Sequence, residues 1–176
     1  ENIKEIVELG AGLGRDTVFF AKNKIKVEAL DYSPTAIKII EKKAKGNNFS
    51  KLVSTKYFDV RGKLPYEDNS IEGVFSHMLY CMALTNSDIE RLNNEILRVL
   101  KPGGMNIYTV RNFNDGDYTK GIHVGEDMYE NDGFIINFFS EKKVNSLLKG
   151  FNNLSINKFE EGNFPRKLFL VQNRKT

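Results

Sequence analysis

Residues 8–14, Glu8-Leu9-Gly10-Ala11-Gly12-Leu13-Gly14, stand where an apolar run hands over to a helix-period segment. Small residues at such a junction let the backbone approach a bound molecule, and the free amides that open a helix favour an anionic or carboxylate group. Glycine spacing discriminates among ligands. A dinucleotide fingerprint needs glycine at position 15, but that residue is Arg15, and the third glycine of this turn comes one place early. Three other polar residues, Asp31, Asp59 and His77, each close an apolar run. The carboxyl ends of strands are where open α/β sheets bind ligands. His77 and His123 are the side chains suited to general-base work near neutral pH. A metal is not expected: one Cys and two His leave little for zinc, and no second cluster completes a shell around His123, Glu126 and Asp127.

Short apolar runs alternating with helix-period segments must position these groups, which is the pattern of an α/β fold with a mainly parallel sheet. Strands are expected at 3–9, 25–30, 54–58, 71–76 and 105–110, with a helix over 15–22 after the glycine turn. Ser33 reads as the N-cap of a second helix with Pro34 at its first position, closing at Gly46. Ser87 and Glu90 form an expected capping box for the next, whose Ile89, Leu92, Ile96 and Val99 share a face. Lys101-Pro102-Gly103-Gly104 should stop it abruptly. The stretch 111–137 reads as a long irregular connection of the kind that carries function. A helix from Ser140 to Gly150 and a hairpin of 154–159 with 168–171 complete the chain. Phe134, Phe138 and Phe139 read as packing residues.

At 176 residues the chain reads as one domain over 1–176, large enough for a core without disulfides. Its 26 basic and 23 acidic residues leave a net charge of +3, and the lysines at 38, 42, 43 and 45 read as a solvated helix face. No basic footprint of a dedicated nucleic-acid binder is present. A lone Cys81 excludes an internal disulfide framework and fits a reducing, cytoplasmic setting. No apolar run reaches the roughly 18 residues of a membrane span, and Glu1-Asn2-Ile3-Lys4-Glu5 lacks the order of a signal peptide.

The acidic Glu8 followed by Gly-x-Gly-x-Gly, with Asp31-Tyr32 after the second run and Phe58-Asp59-Val60 after the third, resembles the class I S-adenosylmethionine-dependent methyltransferases. Residues 64–76 and Leu100-Lys101-Pro102-Gly103-Gly104 resemble that family's approaches to strands four and five, and Gly14-Arg15-Asp16 is similar to its small-molecule branch, of type 11/12 or tellurite-resistance kind. The resemblance implies a Rossmann-like sheet of seven strands, mostly parallel with an antiparallel last strand. It also implies S-adenosylmethionine as cofactor, held by Glu8, Gly10, Gly12, Gly14, Asp31, Tyr32, Asp59, Val60 and Ser76. In that reading Asp31 grips the ribose hydroxyls, Asp59 accepts from the adenine amino group, and Tyr32 and Val60 cover the ring. Methyl transfer needs no obligatory catalytic residue; His77 and His123 are the candidate bases, with Tyr80, Arg111 and Tyr129 as further acceptor-side residues. Residues 76–82 lack the Asn/Asp-Pro-Pro-aromatic signature of amino-directed nucleic-acid methyltransferases, so a small-molecule acceptor is expected. Relatives carry helices before strand one that this chain is expected to lack. Two rivals stand beside this reading: a noncatalytic S-adenosylmethionine-binding module and a nicotinamide-dependent oxidoreductase, the latter opposed by Arg15 and by the C-terminal hairpin.

Overall fold

The computed structural model describes residues 3–176; Glu1 and Asn2, which open the N-terminal segment read above, lie outside the described residues. Strand β1 (Glu5–Leu9) buries four residues in a row, the mark of a strand covered on both faces. It is followed by α1 (Arg15–Lys22), β2 (Lys26–Asp31), α2 (Pro34–Gly46), β3 (Val53–Tyr57) and β4 (Ile71–His77). After a single 3-10 turn, Leu79–Cys81, come α3 (Asn86–Val99) and β5 (Leu100–Arg111). The seven-stranded sheet has the order β3-β2-β1-β4-β5-β10-β9, closed by β9 (Phe151–Glu161) and β10 (Arg166–Lys175). Strands β1 to β5 run parallel. Because β10 is antiparallel to both β5 and β9, it alone is reversed, as the expected topology requires.

The larger apolar cluster lies between α3 and the sheet, joining Leu92, Ile96 and Val99 to Val74, Tyr108 and Val171. A smaller one on the other side joins Ile40 of α2 to Ile6, Val27 and Ala29. The expected caps hold for α2, where Ser33 Oγ accepts from Ala36 N at 3.3 Å, and for α4 (Glu141–Ser146), where Ser140 Oγ accepts from Lys143 N at 3.1 Å.

Several boundaries differ from expectation. The capping box of α3 is Thr85 with Asp88, not Ser87 with Glu90: Thr85 Oγ1 accepts from Asp88 N at 3.2 Å, and Asp88 Oδ2 accepts from Thr85 N at 3.0 Å. Starting the helix two residues earlier also lets the Asn86 amide donate to Glu126 Oε2 at 2.7 Å. The stretch 111–137 is not wholly irregular. It holds a second, antiparallel sheet of β6 (Ile122–Gly125), β7 (Met128–Asn131) and β8 (Phe134–Asn137). Asp132 and Gly133 between the last two strands have φ of 50° and 81°, the paired positive values of a tight hairpin turn. Residues 101–104 open β5 instead of preceding it, α4 ends at Ser146 instead of Gly150, and the hairpin is longer on both strands. Phe138 and Phe139 are fully buried, whereas Phe134 is exposed.

The two caps make different predictions. Thr85→Ala should cost about 1 kcal/mol of stability and Ser87→Ala only a few tenths, because only Thr85 satisfies an otherwise orphaned amide. Urea unfolding of both variants by circular dichroism checks this, and equal losses would contradict the assigned cap.

Candidate functional site

The turn after β1 is built by three left-handed glycines, Gly10, Gly12 and Gly14, with φ of 68°, 53° and 73°. A Cβ on Gly10 would stand 2.8 Å from Leu79 Cδ1, and one on Gly14 would stand 2.8 Å from Ile40 Cγ1. Both conformation and space therefore demand glycine there. The amides of Gly10 and Ala11 both donate to Leu30 O, at 2.8 and 3.1 Å. Asp31, at the end of β2, is buried; its Oδ2 accepts from Gly12 N at 2.7 Å and its Oδ1 from Ser33 N at 2.8 Å. Two amides thus orient the carboxylate, and each oxygen keeps acceptor capacity for a further donor.

A cavity of about 190 Å³ opens beside this carboxylate. It is lined by Gly10, Asp31, Tyr32, Asp59 and Val60, all expected site residues, together with Phe58, Arg61, Leu79 and residues 82–84. Asp59 holds Arg61: its Oδ1 accepts from the Arg61 backbone amide at 3.0 Å, and its Oδ2 accepts from Nη2 at 2.8 Å. These bonds, the side-chain one first, hold the Asp59 carboxyl below the usual carboxylate range. Larger hollows of about 410 and 300 Å³ lie at the amino edge beside Glu5 and Glu28 and between α3 and α4; neither touches the glycine turn.

Other expected site residues fall outside the cavity wall. Glu8 is buried beneath the turn, sharing a hydrogen bond with the Thr17 hydroxyl. Burial pushes its carboxyl up to about 8, against the lowering effect of Thr17. Gly12 and Gly14 shape the turn without lining the cavity, and the Ser76 hydroxyl is buried in β4. His77 sits at the carboxyl edge: Nδ1 shares a hydrogen bond with Thr109 Oγ1 at 2.9 Å, and Nε2 stands 3.1 Å from Glu161 Oε2 without hydrogen-bond alignment. His123 belongs to the small sheet, where Nε2 donates to Glu126 O at 2.8 Å and the ring packs on Tyr129 with centroids 5.0 Å apart. It does not line the cavity.

The further acceptor-side residues resolve differently. Tyr80 is fully buried against Tyr108, and Arg111 is buried in an ion pair with Asp115 that closes the end of β5. Neither lines the cavity beside Asp31. Tyr129 packs edge-on against Tyr118 and Phe138 in the small sheet. Sequence reasoning missed Thr17, Arg61 and Glu161. The first two could have been found from i+3 spacing after Gly14 and i+2 spacing after Asp59. Glu161 had no signal, being 146 positions from its partner Arg15. Among the described residues, no group of three or more His, Cys, Asp or Glu is arranged to hold a metal ion, and no helix is long and apolar enough to cross a membrane.

Glu8 sets a pH dependence of stability. In the unfolded chain it ionises near 4.5, whereas in the fold it keeps its proton to about 8, so between these values unfolding releases a proton. Its stabilising contribution is therefore complete below that window and is lost as pH rises through it. Glu8→Gln, neutral throughout, should flatten the fall in urea midpoint between about pH 5 and about pH 8. An unchanged slope in a folded variant would show that Glu8 is ionised in the native state.

Residues 6–104, more than half of the chain, match the methyltransferase domain family. The chain is 39% identical over 102 residues to phosphoethanolamine N-methyltransferase 1 of Triticum aestivum, a match covering 57% of this chain and 20% of that protein. It thus spans about a fifth of that curated relative. Among solved structures it is similar to a SAM-dependent methyltransferase of Methanosarcina mazei, with a TM-score of 0.85 at 20% identity over 99% of this chain and 93% of the other. It is also similar to the 1,6-didemethyltoxoflavin-N1-methyltransferase of Burkholderia thailandensis, solved with 1,6-didemethyltoxoflavin and S-adenosylhomocysteine, with a TM-score of 0.71 at 17% identity over 98% and 71%. These two likenesses show the fold. With its glycine turn, its Asp31 carboxylate and its reversed last strand in place, the chain belongs to the methyltransferase domain family, the class I S-adenosylmethionine-dependent methyltransferases.

Proposed function

We propose that this chain transfers the methyl group of S-adenosylmethionine to a small-molecule acceptor, with the cavity beside Asp31 as the cofactor's adenosine site. The observation that carries this reading is the Asp31 carboxylate, oriented by two backbone amides and placed on the wall of a cavity at the carboxyl edge. The residues fit the group. A carboxylate with spare acceptor capacity suits the paired hydroxyls of a ribose, and charge-assisted bonds of this kind contribute about 1.5–3 kcal/mol each. Gly10, whose missing side chain lets Leu79 pack against the turn, puts bare backbone on the cavity wall where a ligand can lie. Tyr32 is exposed and free to cover an adenine face, with Val60 on the same wall. Asp59 keeps acceptor sites for an exocyclic amine while it holds Arg61.

When bound, S-adenosylmethionine supplies a methyl group already activated on a sulfonium, so its transfer is an in-line displacement. The chain's work is to position donor and acceptor and to exclude water. Leu79, Met82 and Leu84 give the cavity an apolar side that favours exclusion. A proton released by the acceptor would need a base, and of the two histidines His77 is the one at a strand end of the main sheet, with Nε2 toward Glu161 and Nδ1 toward Thr109. Support for a small acceptor comes from residues 76–82, from the near-balanced charge, and from relatives whose names give phosphoethanolamine and 1,6-didemethyltoxoflavin as the molecules methylated.

Two measurements test the reading. Asp31→Ala should weaken S-adenosylhomocysteine binding at least about tenfold by calorimetry while the variant still unfolds cooperatively, and unchanged affinity would remove Asp31 from the site. Methyl-labelled S-adenosylmethionine incubated with small amines, thiols and hydroxy compounds, and separately with RNA and DNA, should label the small molecules. Label confined to nucleic acid would overturn the acceptor class.

A further inference from the structure

Arg15 opens α1 directly after the glycine turn, and His77 ends β4; the two side chains face the same carboxylate. Glu161 Oε1 accepts from Arg15 Nη1 at 2.6 Å, and Glu161 Oε2 lies 3.1 Å from His77 Nε2. Arg15 also touches its neighbour Asp16, at 3.2 Å from Nε to Oδ1. Thr109 Oγ1 accepts from Met78 N at 3.0 Å and lies 2.9 Å from His77 Nδ1, to which its own hydroxyl proton can be donated; in that tautomer the imidazole proton sits on Nε2, on the Glu161 side. Without Glu161, a guanidinium and an imidazole N–H would converge on one spot with no acceptor between them. That donor set suits a carboxylate or a phosphate.

Glu161 reaches this spot from far away. Strand β9 stands three places from β4 in the sheet, roughly 14 Å at ordinary strand spacing. It reaches across because β9 and β10 stay paired to Glu161 and Arg166, beyond the last β10–β5 pair at Leu168 and Arg111. The bridge is open at its Arg15 end. The Arg15 side chain is 62% exposed against 25% for Glu161 and 16% for His77, Gly162 follows in a left-handed conformation, and Phe164 at the hairpin tip is 95% exposed. An ion pair open to water at one end can be exchanged there for another anion.

We infer that Arg15 and His77 form a subsite for a ligand's carboxylate or phosphate, and that Glu161 of the C-terminal hairpin stands in for that anion until the ligand displaces it. The ligand's identity, though not the subsite itself, rests on the methyltransferase reading. The anion has two possible carriers: the carboxylate at the methionine end of the cofactor, and an anionic group on the acceptor.

Calorimetric titration of the wild-type chain, Glu161→Gln, Arg15→Met and Glu160→Gln with three probes decides the matter. The probes are S-adenosylhomocysteine, 5′-methylthioadenosine (the same nucleoside without the carboxylate) and inorganic phosphate added to S-adenosylhomocysteine-loaded and to free protein. With the cofactor's carboxylate as the anion, Glu161→Gln binds S-adenosylhomocysteine about threefold to tenfold tighter and methylthioadenosine unchanged. With an acceptor anion, Glu161→Gln instead gains affinity for phosphate in the loaded protein. In either case adding Arg15→Met abolishes the gain, and Glu160→Gln, which removes a neighbouring charge, does not reproduce it. Equal affinities of wild type and Glu161→Gln for both S-adenosylhomocysteine and phosphate overturn the inference, as does a gain that Glu160→Gln matches. If the wild type binds neither adenosine compound, the methyltransferase reading fails, and phosphate binding to the free protein alone decides the subsite.

Discussion

The Asp31 carboxylate ties three pieces of chain into one unit. One oxygen holds the amide of Gly12 in the turn after β1; the other holds the amide of Ser33, the N-cap of α2. The register of β1 with β2, Leu9 opposite Leu30, brings the glycine turn beside the end of β2, and the Leu30 carbonyl takes the amides of Gly10 and Ala11. With the turn fixed, Gly14 can enter α1 in its left-handed conformation and lie against Ile40 of α2. The cavity follows from this one anchorage, because Gly10 and Asp31 form its wall and Phe58, whose amide bonds to Asp31 O at 2.9 Å, continues it. A carboxylate placed to stabilise the fold is thereby also presented to the cavity, with lone pairs beyond those the two amides use.

Four carboxylates cluster around this edge, and environment gives them separate roles. Glu8, sealed under the turn with Thr17, is driven toward its neutral form by burial. A second buried negative charge next to Asp31 would otherwise have to be sustained with little water. Asp59 and Glu161 go the other way. Arg61 holds Asp59 below the ordinary range. Burial works against the ionisation of Glu161, but the hydrogen bond from Arg15 and the charge of His77 outweigh it and leave its carboxyl lowered. The edge thus keeps its charged acceptors where a ligand can reach them and its neutral acid where a ligand cannot.

The central sheet was legible because its signals are local. A run of apolar residues, a glycine turn and a Ser-Pro helix start each occupy a few consecutive positions, and β1 to β5 with α1 and α2 appear close to where those signals lie. The same holds for Asp31, Asp59 and Val60, which sit at strand ends and do line one cavity. The small sheet was not legible: its strands are four residues long, and Gly, Asn and His within them, with Asp in the turns between, read as loop. Only the Asp132-Gly133 pair marked a hairpin there. The cap of α3 shifted by two residues because Thr85-x-x-Asp88 and Ser87-x-x-Glu90 overlap, and a contact from distant Glu126 favours the earlier start. The burial of Tyr80 against Tyr108 and of Arg111 against Asp115 was not legible, because sequence carries no information on which polar side chains find a buried partner.

The reversed strand does more than mark the fold class. In an all-parallel sheet each link between adjacent strands must cross over, and no tight turn can join two neighbours at the carboxyl edge. Here β9 runs with the sheet and β10 runs back, so the link between them is a hairpin whose tip is obliged to lie at that edge. The chain places Glu161 there in contact with Arg15 and His77, with Gly162 and the exposed Phe164 at the tip beyond it. The topology that separates this sheet from a nicotinamide-binding one therefore also sets a hairpin tip at the ligand edge. It brings the last quarter of the chain back to the glycine turn of the first, and lets a side chain from the far edge compete for the donors that a ligand would use.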